Sequence, residues 1–137
     1  MIHDCRQELK SFSLKATPAR LAILELLEHT DLPLDVATMR EFLKEKNIKT
    51  DQATVFRIVG LFTNRGLTRQ IELQEGKARY ELTTLPHHHH TICTSCGRVQ
   101  DIGHCEVKDI EKKASDHLGF KTENHQVELF GLCANCQ

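Results

Sequence analysis

The chain has no tryptophan, a single tyrosine and only 5% aromatic residues in all. Its core must therefore be aliphatic, which a hydrophobic content of 39% permits, and a core so thin in rings often needs a staple. No apolar run approaches the roughly 18 residues that a membrane-crossing helix requires. The opening Met1-Ile2-His3-Asp4-Cys5-Arg6 lacks the apolar segment of a secretory signal, so a reducing cytoplasm is the expected compartment. An excess of positive charge is missing too: 18 Lys and Arg stand against 19 Asp and Glu, a net charge of -1. Bulk charge therefore does not announce a nucleic-acid partner. At 137 residues the chain is long enough for one ordinary domain or two small ones.

What is present in excess is metal-ligand chemistry. Cys93 and Cys96 form one pair two residues apart, and Cys133 and Cys136 form a second. That spacing lets both thiolates of a turn reach one ion, and two such turns close a tetrahedron around a structural Zn2+. In a reducing compartment paired cysteines hold metal more often than they form disulfides. Redox dithiols are the alternative. Cys5 and Cys105 have no such partner and read as small buried hydrophobes, with ligation or oxidation still open at Cys105, beside His104. His3, His29 and His117 read as surface or helix-end residues.

Just before the first cysteine pair runs His87-His88-His89-His90. If the run is extended, alternate side chains point to opposite faces. His87 and His89 then face one way and His88 and His90 the other, so one strand can feed two metal sites. Imidazole suits zinc, iron and nickel, and carboxylate partners bias a site toward harder cations. Glu81, Asp101 and His125 are the nearby candidates.

Apolar periodicity organises the rest. A short helix is expected over 2–12. Thr17-Pro18 is a helix start with Pro at the first helical position, followed by Ile23, Leu24 and Leu27. Asp35 caps a second helix bearing Val36, Met39 and Leu43. Thr50 or Asp51 caps a third, in which Val55, Ile58, Val59 and Phe62 share one face and Gly66 ends the run. Strands follow at 67–73 and 77–82, joined by a turn containing Gly76. Helices followed by a basic hairpin describe a winged helix-turn-helix. From Gln52 to Tyr80, Arg57, Arg65, Arg69, Lys77 and Arg79 face only Glu72 and Glu75. After a hinge at 83–86 the pattern gives a strand through the histidines, a strand at 98–102, a helix from about 106 to 118 with Val107, Ile110, Ala114 and Leu118 on its apolar face and Gly119 as its stop, and a last strand from 121 to 132. The expected fold is α+β: residues 1–83 a winged-helix DNA-binding domain, and residues 84–137 a small α/β metal-sensing domain with a four-cysteine zinc site.

The third helix is the candidate reader of DNA. Thr54, Phe56 and Arg57 lie off its apolar face, Arg57 placed for phosphate or base contacts and Phe56 for a thymine methyl. Lys15 and Arg20 are candidates for phosphate contacts.

The segments Thr17-Pro18-Ala19-Arg20, Ala53-Thr54-Val55-Phe56-Arg57, Tyr80-Glu81-Leu82, His87 to His90, Cys93-x-x-Cys96-Gly97, Asn124-His125 and Cys133-x-x-Cys136 together resemble the ferric uptake regulator (Fur) family of bacterial metal sensors, in family order and over nearly the whole length. The resemblance implies a dimeric, metal-activated repressor that binds a pseudo-palindromic double-stranded operator. It places structural zinc on Cys93, Cys96, Cys133 and Cys136. A regulatory divalent metal (Zn2+, Fe2+ or Mn2+) falls on Glu81, His88, His90 and Asp101, and a third site on His87, His89 and His125. The chain departs from the family pattern at several positions. Leu32-Pro33-Leu34 stands where a further regulatory His is usual, His89 replaces an Asp, and Phe56 replaces a Tyr. Lys108 aligns with a helix-borne Glu, so Glu106 or Glu111 must stand in for it. Two rival readings remain. One is a peroxide-sensing, iron-dependent repressor of the same family. The other is a zinc enzyme using the histidines, for which no His-Glu-x-x-His helix is present.

Overall fold

The computed structural model describes residues 4–85, 88–103 and 105–137. His87, expected in the third metal site, lies outside the described residues. The chain divides into two compact units, Met1–Leu85 and Pro86–Gln137.

The first unit begins with α1 (Cys5–Ser11), capped by Asp4, and α2 (Pro18–Glu28), where the Thr17 hydroxyl accepts from the Arg20 amide and Pro18 occupies the first turn. A two-residue strand, β1 (Leu34–Asp35), leads directly into α3 (Val36–Glu45). Asp35 caps that helix by accepting from the Thr38 amide at 2.8 Å. Helix α4 (Gln52–Asn64) is capped by Asp51 rather than Thr50, its carboxylate accepting from the Thr54 amide at 2.7 Å. Gly66, at φ 82°, turns the chain out of α4. The hairpin of β2 (Thr68–Glu72) and β3 (Ala78–Leu82) then folds back, with Gly76 at φ 76° in its turn. Sequence periodicity misses β1, which is too short to show alternation. It pairs with β3, giving a sheet of order β1-β3-β2.

The apolar stripes meet in one aliphatic core. Ile23, Leu24, Met39, Leu43, Val55, Val59, Phe62 and Leu67 are all fully buried. Burying each such side chain contributes about 1.5–3 kcal/mol, so α4 is anchored by its inner face alone. This is a winged helix-turn-helix: α2, α3 and α4 packed against a β-hairpin, with α1 added in front.

The second unit is smaller. β4 (His89–Cys93) runs antiparallel to β5 (Val99–Ile102) and parallel to β6 (Glu128–Gly131), in the order β5-β4-β6. Between β5 and β6 lies α5 (Lys108–Leu118), closed by Gly119 in the left-handed region at φ 63°. Two expectations are corrected here. The last strand occupies 128–131 and not 121–132, because β4 offers it ladder partners only from His90 to Cys93. The apolar face expected on α5 is not buried: no α5 residue is, and Ile110 and Leu118 are 68% and 80% exposed. Amphipathic spacing reports that a face is apolar, not that its own chain covers it.

The hinge between helix and wing carries a testable charge pair. Asp35 is buried, which by itself would raise its pKa. The Lys77 ammonium and the Thr38 amide outweigh burial and hold it at about 2, against 3.8 for a free carboxyl. A depressed carboxyl pKa adds stability above the unfolded value and loses it as pH falls through the folded one. Replacing Asp35 with Ala should cost the first unit about 1–2 kcal/mol at neutral pH. In urea titrations across pH, the gap between wild type and variant should close between about pH 4 and pH 2.

Candidate metal centres and DNA-reading face

Two short turns build the four-thiol centre. The first follows β4: Cys93 is its last residue, the Gly97 amide donates back to the Cys93 carbonyl at 2.9 Å, and Gly97 takes φ 78°. The second follows β6, with the Cys136 amide bonded to the Cys133 carbonyl at 3.0 Å. The Thr94 amide bonds the Gly131 carbonyl at 2.7 Å and ties the two turns together. The four sulfurs of Cys93, Cys96, Cys133 and Cys136 all lie within 4.8 Å of one another. Cys96 Sγ and Cys133 Sγ are 3.8 Å apart. A tetrahedron with zinc–sulfur bonds of about 2.3 Å has edges of about 3.8 Å, so the sulfurs already have the spacing of a thiolate-bound zinc.

The backbone favours thiolate at one corner. The amides of Cys96 and Cys133 both point at Cys93 Sγ, at 3.5 and 3.4 Å. They bring its pKa down to about 6. Without an ion the sulfurs must share protons: the neighbouring Cys133 thiol pushes Cys136 up to about 12. A cation replaces that sharing with four equivalent bonds.

The histidines divide by face as their alternation requires. The rings of His88 and His90 meet edge to face with centroids 4.8 Å apart. His89 turns the other way, its ring 5.2 Å from that of His125. His90 is buried, and its Nδ1 lies 3.4 Å from the Glu128 carboxylate on β6. Asp101 stands directly across the β4–β5 ladder from His90, at an exposed position. Glu81, on β3, is buried and accepts from Arg69 at 2.8 Å.

On the opposite face the structure gathers His89 and His125 with a residue the sequence reading treated as a hydrophobe. The ligand atoms of His89, Cys105 and His125 lie within 4.8 Å of one another. Of the two acids weighed as replacements at Lys108, Glu111 is engaged, its carboxylate 2.7 Å from His125 Nδ1. Cys105 and Glu128 were missed as partners. Neither stands at a motif spacing from its histidine, so only the fold brings them together. The adjacency of Cys105 to His104 was the sole hint.

The face of α4 opposite its buried stripe is exposed. Phe56 is 58% exposed while its helix neighbours Val55, Ile58 and Val59 are buried. Arg57 is exposed and donates to the Thr54 hydroxyl at 3.2 Å. Lys15 is exposed, and Arg20 donates to its carbonyl at 2.9 Å, placing both cations at the start of α2.

A winged helix-turn-helix joined to a small sheet with a four-thiol cluster and gathered histidines defines a metal-responsive, DNA-binding transcriptional regulator. The profile of the Ferric uptake regulator family matches residues 11–130, and the chain belongs to that family. A Ferric uptake regulation protein of Bordetella parapertussis is 35% identical over 133 residues, covering 96% of each chain. The Peroxide operon regulator of Bacillus subtilis is 27% identical over 135 residues, covering 98% of this chain and 92% of that protein. The crystal structure of the Vibrio cholerae ferric uptake regulator superposes with a TM-score of 0.83 at 29% identity, covering 95% of this chain and all of that one.

Among the described hydrophobic residues of the second unit, only Ile92, Cys93 and Val99 are buried. So small a core cannot hold a sheet, whereas zinc binding contributes about 10–16 kcal/mol in finger peptides. Strong chelation, or Cys133→Ser without a chelator, should abolish hydrogen-exchange protection in β4, β5 and β6 and leave α2 to α4 protected.

Proposed function

We propose that this chain is a metal-gated repressor of metal uptake or homeostasis genes, acting in the cytoplasm as a homodimer on a pseudo-palindromic double-stranded operator. It acts by binding and not by catalysis. The observation that carries this reading is the two-sided character of α4. Val55, Ile58, Val59 and Phe62 bury one face, and Phe56 and Arg57 stand exposed on the other. An exposed aromatic ring and an exposed guanidinium on an otherwise anchored helix suit insertion into a major groove. Residues 1–83 form the DNA-binding part, with Thr54, Phe56 and Arg57 at the bases and Lys15 and Arg20 at phosphates. Residues 84–137 form the dimerisation and sensing part. Ile110, Leu118, Phe120 and Leu129, each more than half exposed, supply the apolar surface for a second copy.

Structural Zn2+ belongs to Cys93, Cys96, Cys133 and Cys136, whose spacing fits it. The regulatory divalent cation, Zn2+, Fe2+ or Mn2+, belongs to Glu81, His88, His90 and Asp101. Two imidazoles and two carboxylates suit all three ions. That cation supplies positive charge shared between donors from both parts of the chain. Glu81 belongs to the reading part, and the other three donors to the sensing part. An ion held by donors from both parts would fix the angle between them and so favour the form that binds DNA. Turning a 1:99 population into 99:1 takes roughly 10⁴-fold tighter binding to the favoured form. Arg69 donates to Glu81 at 2.8 Å, so that carboxylate is oriented before any ion arrives.

Operator binding measured by fluorescence anisotropy over a metal series tests the scheme. Glu81→Ala and His90→Ala should lose the metal dependence of binding while keeping the weak apo affinity. Unchanged dependence in both would exclude the gate. Arg57→Ala should weaken operator binding about 10–100-fold and lower the salt slope by about one, with thermal unfolding unchanged because its side chain is exposed.

A further inference from the structure

We propose that His89, Cys105 and His125 form a metal site of two nitrogens and one sulfur, selective for a thiophilic cation of the zinc type, with Glu111 as its positioning residue. This rests on the reading of the second unit as metal-binding. It adds a donor, Cys105, that the family resemblance does not supply.

The donors come from separate stretches of one unit. His89 is on β4, Cys105 follows β5, His125 precedes β6, and Glu111 lies in the first turn of α5. The ligand atoms of His89, Cys105 and His125 nevertheless converge within 4.8 Å. The hydrogen bonds assign the atoms. A carboxylate can only accept, so the 2.7 Å contact with Glu111 places a proton on His125 Nδ1. That leaves Nε2 facing Cys105 Sγ at 3.0 Å. A carboxylate on the far nitrogen is the usual orienting partner of a metal-bound imidazole, fixing both tautomer and ring. In the metal-free protein the thiol proton lies between sulfur and nitrogen. On binding, the cation takes that place and one proton leaves for solvent.

The dimensions are close to those of a bound ion. Zinc–nitrogen and zinc–sulfur bonds of about 2.0 and 2.3 Å at a tetrahedral angle separate the two donors by about 3.5 Å. The gap of 3.0 Å must open by about half an ångström, and Cys105 lies on a segment without regular structure, where the backbone can yield.

The donor set is complete without an oxygen ligand. His89 supplies an imidazole, and Lys108 on α5 offers no oxygen donor. Glu111, three residues beyond Lys108 and so on the same side of α5, reaches His125 and leaves the remaining donor position to sulfur. Exchanging oxygen for thiolate moves preference from manganese toward zinc and cobalt.

The full-length protein, with zinc confirmed at one equivalent per chain in the four-thiol centre, is titrated with Co2+. A further equivalent should bind with a sulfur-to-cobalt charge-transfer band. The regulatory donors contain no sulfur and are silent in that band. Cys105→Ser should lose the band and keep the structural zinc. Glu111→Gln should keep the band and weaken binding about 10–100-fold. Cys105→Asp should bind Mn2+ more tightly than wild type. A band that persists in Cys105→Ser, or no band in the wild type, overturns the proposal. Operator binding in the same samples separates this failure from failure of the repressor reading: a normal metal response without the band overturns the sulfur site alone.

Discussion

Two parallel strands make the four-thiol centre possible. β4 and β6 run in the same direction with Cys93 opposite Gly131, so both chains leave the sheet at the same end. Cys93 closes β4 and Cys133 lies just beyond β6, and the two cysteine turns emerge side by side. An antiparallel β6 would carry its turn to the far end of the sheet. Parallel neighbours need a crossover, and β5 with α5 provides it. The metal-ligand spacing in the sequence and the topology of the sheet are thus one constraint seen twice. Each cysteine pair needs a tight turn, and the two turns need parallel strands to meet.

The same strand separates the histidine chemistry. Because side chains alternate, β4 cannot send His89 and His90 to one ion. His90 meets His88 and Glu128, whereas His89 meets His125 and, with it, Cys105. Two centres with different donor hardness can then sit back to back on one strand, sharing a backbone but no ligands. A change of donor on one face leaves the other untouched, so His89 can differ in its partners without altering those of His88 or His90.

Local rules made much of this legible in the sequence. The caps at Thr17, Asp35 and Asp51, the left-handed glycines at 66, 76 and 119, and the apolar stripe of α4 each depend on residues within a few positions of one another. The Cys-x-x-Cys pairs are local too, and their pairing followed from chemistry. What was not legible depends on distant partners. β1 exists only because β3 pairs with it, and β6 is short only because β4 is. The apolar residues of α5 obey helical spacing yet stay exposed, since periodicity cannot say which chain covers a face. Cys105 was read as a hydrophobe because a lone cysteine has no spacing to betray it. Its histidine is twenty residues away, and only the crossover brings them within hydrogen-bonding reach.

The absence of net positive charge bears on how this chain would recognise DNA. Non-specific affinity comes mainly from phosphate neutralisation, and 18 bases against 19 acids provide little of it overall. Affinity must then come from a few placed groups. Arg57 is steadied by Thr54 on the same helix, and Arg20 by the Lys15 carbonyl, so less side-chain entropy remains to be lost on binding. Phe56 is kept exposed at a hydrophobic cost, which the buried inner face of α4 offsets. A weakly charged reader of this kind binds poorly to random DNA. Its grip then depends on those few placed groups meeting their targets together, so the loss of one is felt across the whole contact.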